Sequence, residues 1–338
     1  MGLFSKRNAA PTHPIFDFWA WWSAEGERLV TEAIAANQIA TVVEVVAKRV
    51  AAIDPGLDWE FGPGAVAEHR FSLTSGGVAQ KRPLAERWKR AAPAVTETWE
   101  FATSREAKDS PLSGGFEYNG HRLKLELLRF SPEFDESQRR VHVESYHPEF
   151  EALSQNDRLA VTFLALDWLL GEDDVERWLG GIDASATATD SSLTGEQFAA
   201  AVAEFAGAHS TEAWALFEGT ARGGAPLLSF ARQGTRWIDR PLLDLHNEIT
   251  VRFAKSGFPD SEALERLREM EDEIEKSFSR SAIFIAHETT GGERTFHIYS
   301  DSEDANVTEA LAQFASANAA RHSSRIDPSW QRVRAYTG

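Results

Sequence analysis

Between Glu248 and Tyr336 the spacing of apolar residues switches between two and three-to-four, and this alternation restricts the fold more than any composition value does. Ile249, Val251 and Phe253 alternate, which predicts a strand over 248–254. Gly257, Pro259, Asp260 and Ser261 then announce a helix with the stripe Leu264, Leu267, Met270, Ile274 and Phe278; Glu262 with Arg266 and Asp272 with Lys276 are supporting pairs four residues apart. Residues 283–287 and 294–299 read as strands around Thr290-Gly291-Gly292. A second helix follows Ser302-Glu303-Asp304, with Val307, Leu311, Phe314 and Ala315 on one side, and Arg332–Tyr336 has a strand-like composition. Strand, helix, strand, strand, helix, strand is the order of the ferredoxin-like split βαβ unit. Trp214–Gly219 and Pro226–Arg232, around Gly223-Gly224, add a hairpin in front of it.

The first half reads as a separate α+β domain. Residues 1–14 are polar and read as a flexible tail, 15–208 as the N-terminal domain, and 209–338 as the C-terminal ferredoxin-like domain with its added hairpin. A length of 338 residues suits two such domains. In the N-terminal domain, apolar positions from Val30 to Val50 predict one long helix over Glu27–Ile53, stopped by Asp54-Pro55-Gly56. Strands are expected on both sides of Gly62-Pro63-Gly64 and over 96–102, 122–130 and 139–146, with a core helix ending near Leu170. The Ser-, Thr- and Ala-rich run from Asp183 to Glu196 reads as a linker or exposed loop, and one more helix, over 198–208, completes the domain.

Composition narrows the chemistry. The chain has no cysteine, which excludes disulfides, thiolate zinc sites, iron–sulfur clusters and cysteine nucleophiles and suits a cytoplasmic protein. Lys plus Arg total 35 against 52 Asp plus Glu, a net charge of −17. Both halves are acidic and neither carries a segregated basic patch, so direct nucleic-acid or membrane binding is not expected. No Gly-Lys-Ser/Thr loop is present, which removes P-loop hydrolases, and no cofactor or metal set is predicted.

Several constellations carry possible chemistry beside a structural reading. Gly62-Pro63-Gly64-Ala65-Val66-Ala67 fits a loose dinucleotide fingerprint but lacks the following helix, and reads as a tight turn. His142, Glu144 and Tyr146 alternate on one strand face and form the best enzyme-like group, a candidate hydrolase site; a solvated sheet face is the favoured explanation, since one carboxylate and one imidazole lack a further ligand or nucleophile. Acidic residues at 172–176 and 301–304 read as helix caps rather than cation sites. His287 and His297 lie on opposite arms of a hairpin whose register is undetermined, within reach of one another. Phe16, Phe18, Trp19, Trp21 and Trp22 exceed what one helix face buries; packing is favoured, and Phe16, Trp19, Trp21 and Trp22 are the candidate partner-binding residues if it fails.

The runs FEGTARGGAPLLSF, SGFPDSEALERLREMEDEIEKSF and HETTGGERTFHIYS, with the terminal DPSW, resemble the bacterial domain of unknown function family 695 over about 212–338. The shared elements are Gly224, Pro226, Gly257-x-Pro259, Leu267, Glu271, Phe296, Tyr299, Asp327-Pro328 and Trp330. That family is similar in predicted fold to the regulator B of ribonuclease E activity, an acidic ferredoxin-like protein that binds and inhibits a ribonuclease. The resemblance therefore implies a non-catalytic binding or regulatory module, with no catalytic residues to carry over. With the charge, it points to a basic protein partner of the nuclease or RNA-processing class. The alternatives are an enzyme acting near His142, Glu144 and Tyr146, and a structural subunit assembled through the Trp19–Trp22 segment.

Overall fold

The computed structural model describes residues 13–108, 112–189 and 192–337, in a mixed α+β arrangement. Of the expected tail, residues 1–12 lie outside these; His13 caps the first helix by accepting the Ile15 N–H at 3.4 Å, and Pro14 opens it. The chain divides into two compact units, Met1–Ser104 and Arg105–Gly338. The boundary expected near 208 thus falls inside the second unit.

In the first unit, α1 (Pro14–Trp21) runs through a π-helical turn, Trp22–Gly26, into α2 (Glu27–Ala35), and α3 (Ala40–Ile53) follows. The single helix expected over Glu27–Ile53 is broken at Asn37, whose φ of 55° no α-helix can contain. Strands β1 (Asp58–Pro63) and β2 (His69–Thr74) pair antiparallel, as expected for a hairpin. Helix α4 (Arg82–Arg90) is the crossover that lets β3 (Trp99–Ala102) pair parallel to β2. Phe18, Trp22, Phe71, Trp88 and Trp99 fill the core between helices and sheet.

The second unit begins with a small hairpin, β4 (Gly115–Tyr118) and β5 (His121–Lys124). Strands β6 (Arg129–Asp135) and β7 (Arg140–Tyr146) pair antiparallel, and α5 (Gln155–Leu170) and α6 (Glu172–Trp178) bring β8 (Leu179–Ser185) parallel to β7. Helix α7 (Gly195–His209) closes this layer, its Phe198 stacking on Phe130 in a core shared with Val141 and Leu166. Two expectations are corrected here. The strand expected over 122–130 is two strands separated by a 3-10 turn, Leu125–Leu127, and the start of the expected linker is the end of β8.

A six-stranded antiparallel sheet follows, built from β9 (Ala213–Thr220), β10 (Pro226–Gln233), β11 (Leu245–Arg252), β12 (Ala282–Thr290), β13 (Glu293–Ser300) and β14 (Arg321–Ile326). Its order is β14-β11-β13-β12-β10-β9. Helix α8 (Ser261–Phe278) joins β11 to β12, and α9 (Ala305–Ala317) joins β13 to β14. The closing strand is Arg321–Ile326, not Arg332–Tyr336; Arg334–Thr337 is a helical turn, α10. Helices α8 and α9 bury Leu267, Met270, Ile274 and Leu311 on one face of the sheet against Ile249, Phe284, Phe296 and Ile298. The other face is covered by the C-terminal segment, where Trp330 and Val333 pack on Ile285 and Tyr299.

Buried arginines tie this sheet to the layer before it. Arg236 donates to the Arg139 carbonyl at 2.7 Å and lies over the Trp178 ring, while Trp237 Nε1 donates to Glu176 at 3.0 Å. Arg140 donates to the carbonyls of Glu176, Arg177 and Leu179, satisfying the C-terminus of α6. Among the described residues no helix is long and apolar enough to cross a membrane.

Candidate functional site

The two faces of the large sheet carry different polar clusters. On the helix face, α8 and the β9–β10 hairpin enclose a cavity of about 910 Å³. Trp214, Phe230 and Phe284 form aromatic walls, and Arg232 closes one side. Arg232 lies over the Trp214 ring and pairs with Glu212 at 3.0 Å and Glu275 at 2.7 Å, so it latches the hairpin to α8. The Glu212 carboxyl is held below its ordinary range by the Thr235 hydroxyl first and, against burial, by Arg232.

Glu271 projects from α8 to the cavity floor between two strand residues. Its carboxylate lies 3.3 Å from His287 Nδ1, without hydrogen-bond geometry, and 3.8 Å from Arg294. Arg294 donates its Nε to Thr289 at 2.9 Å, and burial lowers its affinity for its proton. Aromatic walls with a few charged groups on the floor are what a recognition pocket needs.

On the opposite face, His246 and His297 are 3 % and 4 % exposed, and His246 Nε2 lies 3.0 Å from His297 Nδ1. Glu248 stands two residues along β11 from His246 and directly opposite His297 in register. Among the described residues, these three converge closely enough to hold an ion, with one donor atom each within 4.8 Å of the others. Burial, and next the neighbouring His297, push the His246 pKa down to about 3, so its imidazole is neutral at ordinary pH. Glu288 Oε1 lies 3.7 Å from His297 Nε2 and accepts the Tyr336 hydroxyl at 2.6 Å. Tyr299 donates to Asp327 at 2.7 Å; burial, then the Asp327 charge, raise its pKa.

Apart from His287 and His297, the candidate site residues singled out in the sequence lie elsewhere. His142, Glu144 and Tyr146 share one half-buried face of β7, as the alternation predicts, while Val141, Val143 and Ser145 face the core. His142 Nδ1 accepts the Gly181 N–H at 2.7 Å and its Nε2 is 3.9 Å from Asp135, so one ring nitrogen is already committed to β8. Trp19, Trp21 and Trp22 are buried in the first unit, Trp19 stacking on Trp88; Phe16, 64 % exposed, is the surface residue of that group. Glu172 and Asp304 stand at helix starts, Asp304 accepting the Val307 N–H. His287 and His297 do not meet. Ala286 opposes His297 and His287 opposes Phe296, which puts the two rings on opposite faces.

The sequence reading missed His246, Glu248 and Arg294 as members of clusters. A signal was present: His246-Asn247-Glu248 has the same His-x-Glu spacing on a strand as His142-Val143-Glu144. What could not be read is the second histidine, supplied from β13 by a register that only pairing fixes. The resemblance residues now have physical roles. Glu271 holds the cavity floor, Phe296 the helix-side core, and Tyr299, Asp327 and Trp330 the opposite face, where Trp330 stacks on Tyr299 and donates to the Leu243 carbonyl at 2.8 Å.

Fold and clusters together define an α+β chain whose C-terminal sheet is buried on both faces and carries a polar group on each. The model of the Family of unknown function (DUF695) matches residues 244–332, which span β11 to the segment covering the second face. No curated protein matches the chain, and no solved structure does.

Proposed function

We propose that the chain is a non-catalytic binding module that grips a protein partner through strand β9 and the cavity behind it. The observation that carries this reading is an open, apolar sheet edge beside an aromatic cavity. Strand β9 ends the sheet, no further strand pairs with it among the described residues, and Leu216 on it is 61 % exposed. An extended segment added to that edge gains main-chain hydrogen bonds, and its alternate side chains enter the cavity between Trp214 and Phe230. The exposed Glu262, Glu265, Glu269 and Asp272 of α8 favour a basic segment there.

The strand order supports a ferredoxin-like reading of β11 to β14, with the β9–β10 hairpin as the extension that supplies the edge. A basic nuclease or RNA-processing factor, in the cytoplasm of a bacterium, is the partner class that fits both the charge and the resemblance, and regulation of that partner is the role.

The test is affinity capture from native lysate with the wild-type chain and with Leu216→Lys and Ala215→Pro, which block strand addition. A specific basic protein retained by the wild type, lost from both variants and released by salt supports the reading. Retention unchanged in both variants, or no specific partner on the wild type, rejects it.

A further inference from the structure

We propose that His246, His297 and Glu248 bind one divalent first-row transition-metal ion on the sheet face away from α8 and α9. The site is independent of the β9 edge and does not rest on partner binding. Its donors come from two neighbouring strands at fixed register positions, so the pleat of the sheet rather than a mobile loop sets their convergence.

The nitrogen pair has nearly the spacing an ion requires. Two ligands at about 2.1 Å from a tetrahedral ion stand about 3.4 Å apart, and His246 Nε2 and His297 Nδ1 are 3.0 Å apart. A small opening of the rings admits the ion. Without it the two nitrogens share a single hydrogen; on binding, both lone pairs turn to the metal and that hydrogen passes to His246 Nδ1, so the imidazole stays neutral. Glu248 supplies the carboxylate, giving a two-histidine, one-carboxylate set with a further position open.

The surroundings have the form of ligand support. A metal-bound imidazole characteristically directs its other ring nitrogen at a carboxylate that fixes its orientation. His297 Nε2 is buried with no hydrogen-bond partner and faces Glu288 at 3.7 Å, and Glu288 is itself fixed by Tyr336. Two buried imidazoles stacked on one another, with the Tyr299 ring 5.0 Å from His246, carry a desolvation cost that an apolar pair would avoid, and ligation offsets it. Arg332, half-exposed, reaches Glu248 at 3.2 Å and competes with an incoming cation for that carboxylate. The negative charges of Glu248 and Glu288 match a dication.

The experiment titrates chelator-stripped, full-length protein with Zn2+ by calorimetry and follows Co2+ by its visible absorption. One ion per chain is expected, with Co2+ bands that His246→Asn and His297→Asn abolish. Because buried-histidine variants can misfold, two half-exposed positions carry the decision. Glu248→Gln should weaken Zn2+ at least ~10-fold. Arg332→Ala should tighten it, a direction misfolding does not produce. No saturable one-to-one binding, or an affinity unmoved by both Glu248→Gln and Arg332→Ala, overturns the proposal.

Discussion

Glu100 accepts the N–H groups of Ala65, Val66 and Ala67 at 2.9, 2.9 and 3.2 Å and the Arg70 guanidinium at 2.5 Å. The Gly62-Pro63-Gly64 loop that loosely fits a nucleotide fingerprint is therefore an anion cradle, filled by a carboxylate of its own chain. Burial pushes the Glu100 pKa up, but the three N–H donors and Arg70 outweigh it and bring it from 4.5 down to about 2. A depressed carboxyl pKa stabilises the fold above the unfolded value and loses that contribution as pH falls through the folded one. Hydrogen exchange over 62–74 and 97–102 should stay protected above about pH 4.5 and lose protection toward pH 2. Glu100→Gln should cost ~2 kcal/mol at pH 7, since it leaves charge-assisted donors poorly matched. Its difference from wild type should narrow as the pH falls; a constant difference would show that the charge is not what matters. None of this was readable from the sequence, where Glu100 lies more than thirty residues from the loop it closes.

At the scale of elements, legibility followed burial. Helix α8 and strands β12 and β13 pack an apolar face, so their period is written in their residues. Strand β14, Arg321–Ile326, is a mostly exposed edge strand of polar residues, and without a buried face it leaves no alternation to read. Strand β8 contains Gly180 and Gly181 because added Cβ atoms there would meet the His142 ring, at 2.7 and 3.1 Å; only its end, Asp183–Ser185, fell in the run that reads as a loop from its Ser, Thr and Ala content. The break between α2 and α3 shows the reverse error, in which apolar spacing carried straight across Asn37-Gln38. A left-handed backbone at Asn37 suits Asn or Gly and penalises a branched side chain. Asn37→Val should cost ~1–2 kcal/mol and Asn37→Gly almost nothing, as read by urea unfolding. Equal effects would place the constraint in the Asn37 side chain rather than in its backbone.

Over the whole chain, the sequence correctly suggests mixed α+β content but places the division near residue 208, beyond the Ser- and Thr-rich run of 183–196 and the helix that follows it. The packing divides at 104/105 instead, because contacts between β-layers far apart in sequence leave no compositional trace. Arg236 and Trp237 reach back to Arg139 and Glu176, so the large sheet and the layer before it share buried polar contacts that neither can satisfy alone. A fragment starting at 105 should keep native exchange protection in β10 to β13. A fragment starting at 209 strands the Arg236 guanidinium without the Arg139 carbonyl, and should melt at a clearly lower temperature. Equal melting temperatures would restore the later division.

The irregular pairing between Phe284 and Ala286 has a consequence for both faces of the sheet. Ile285 is a spare residue on β12, and the residues after it keep their sides only because the strand absorbs it there. Were the ladder to straighten with Ile285 retained, every later side chain would change sides: His287 would stand with His297, and Glu288 would turn under α8. One residue of slack thus sets the parity of the strand, and with it which imidazoles are neighbours.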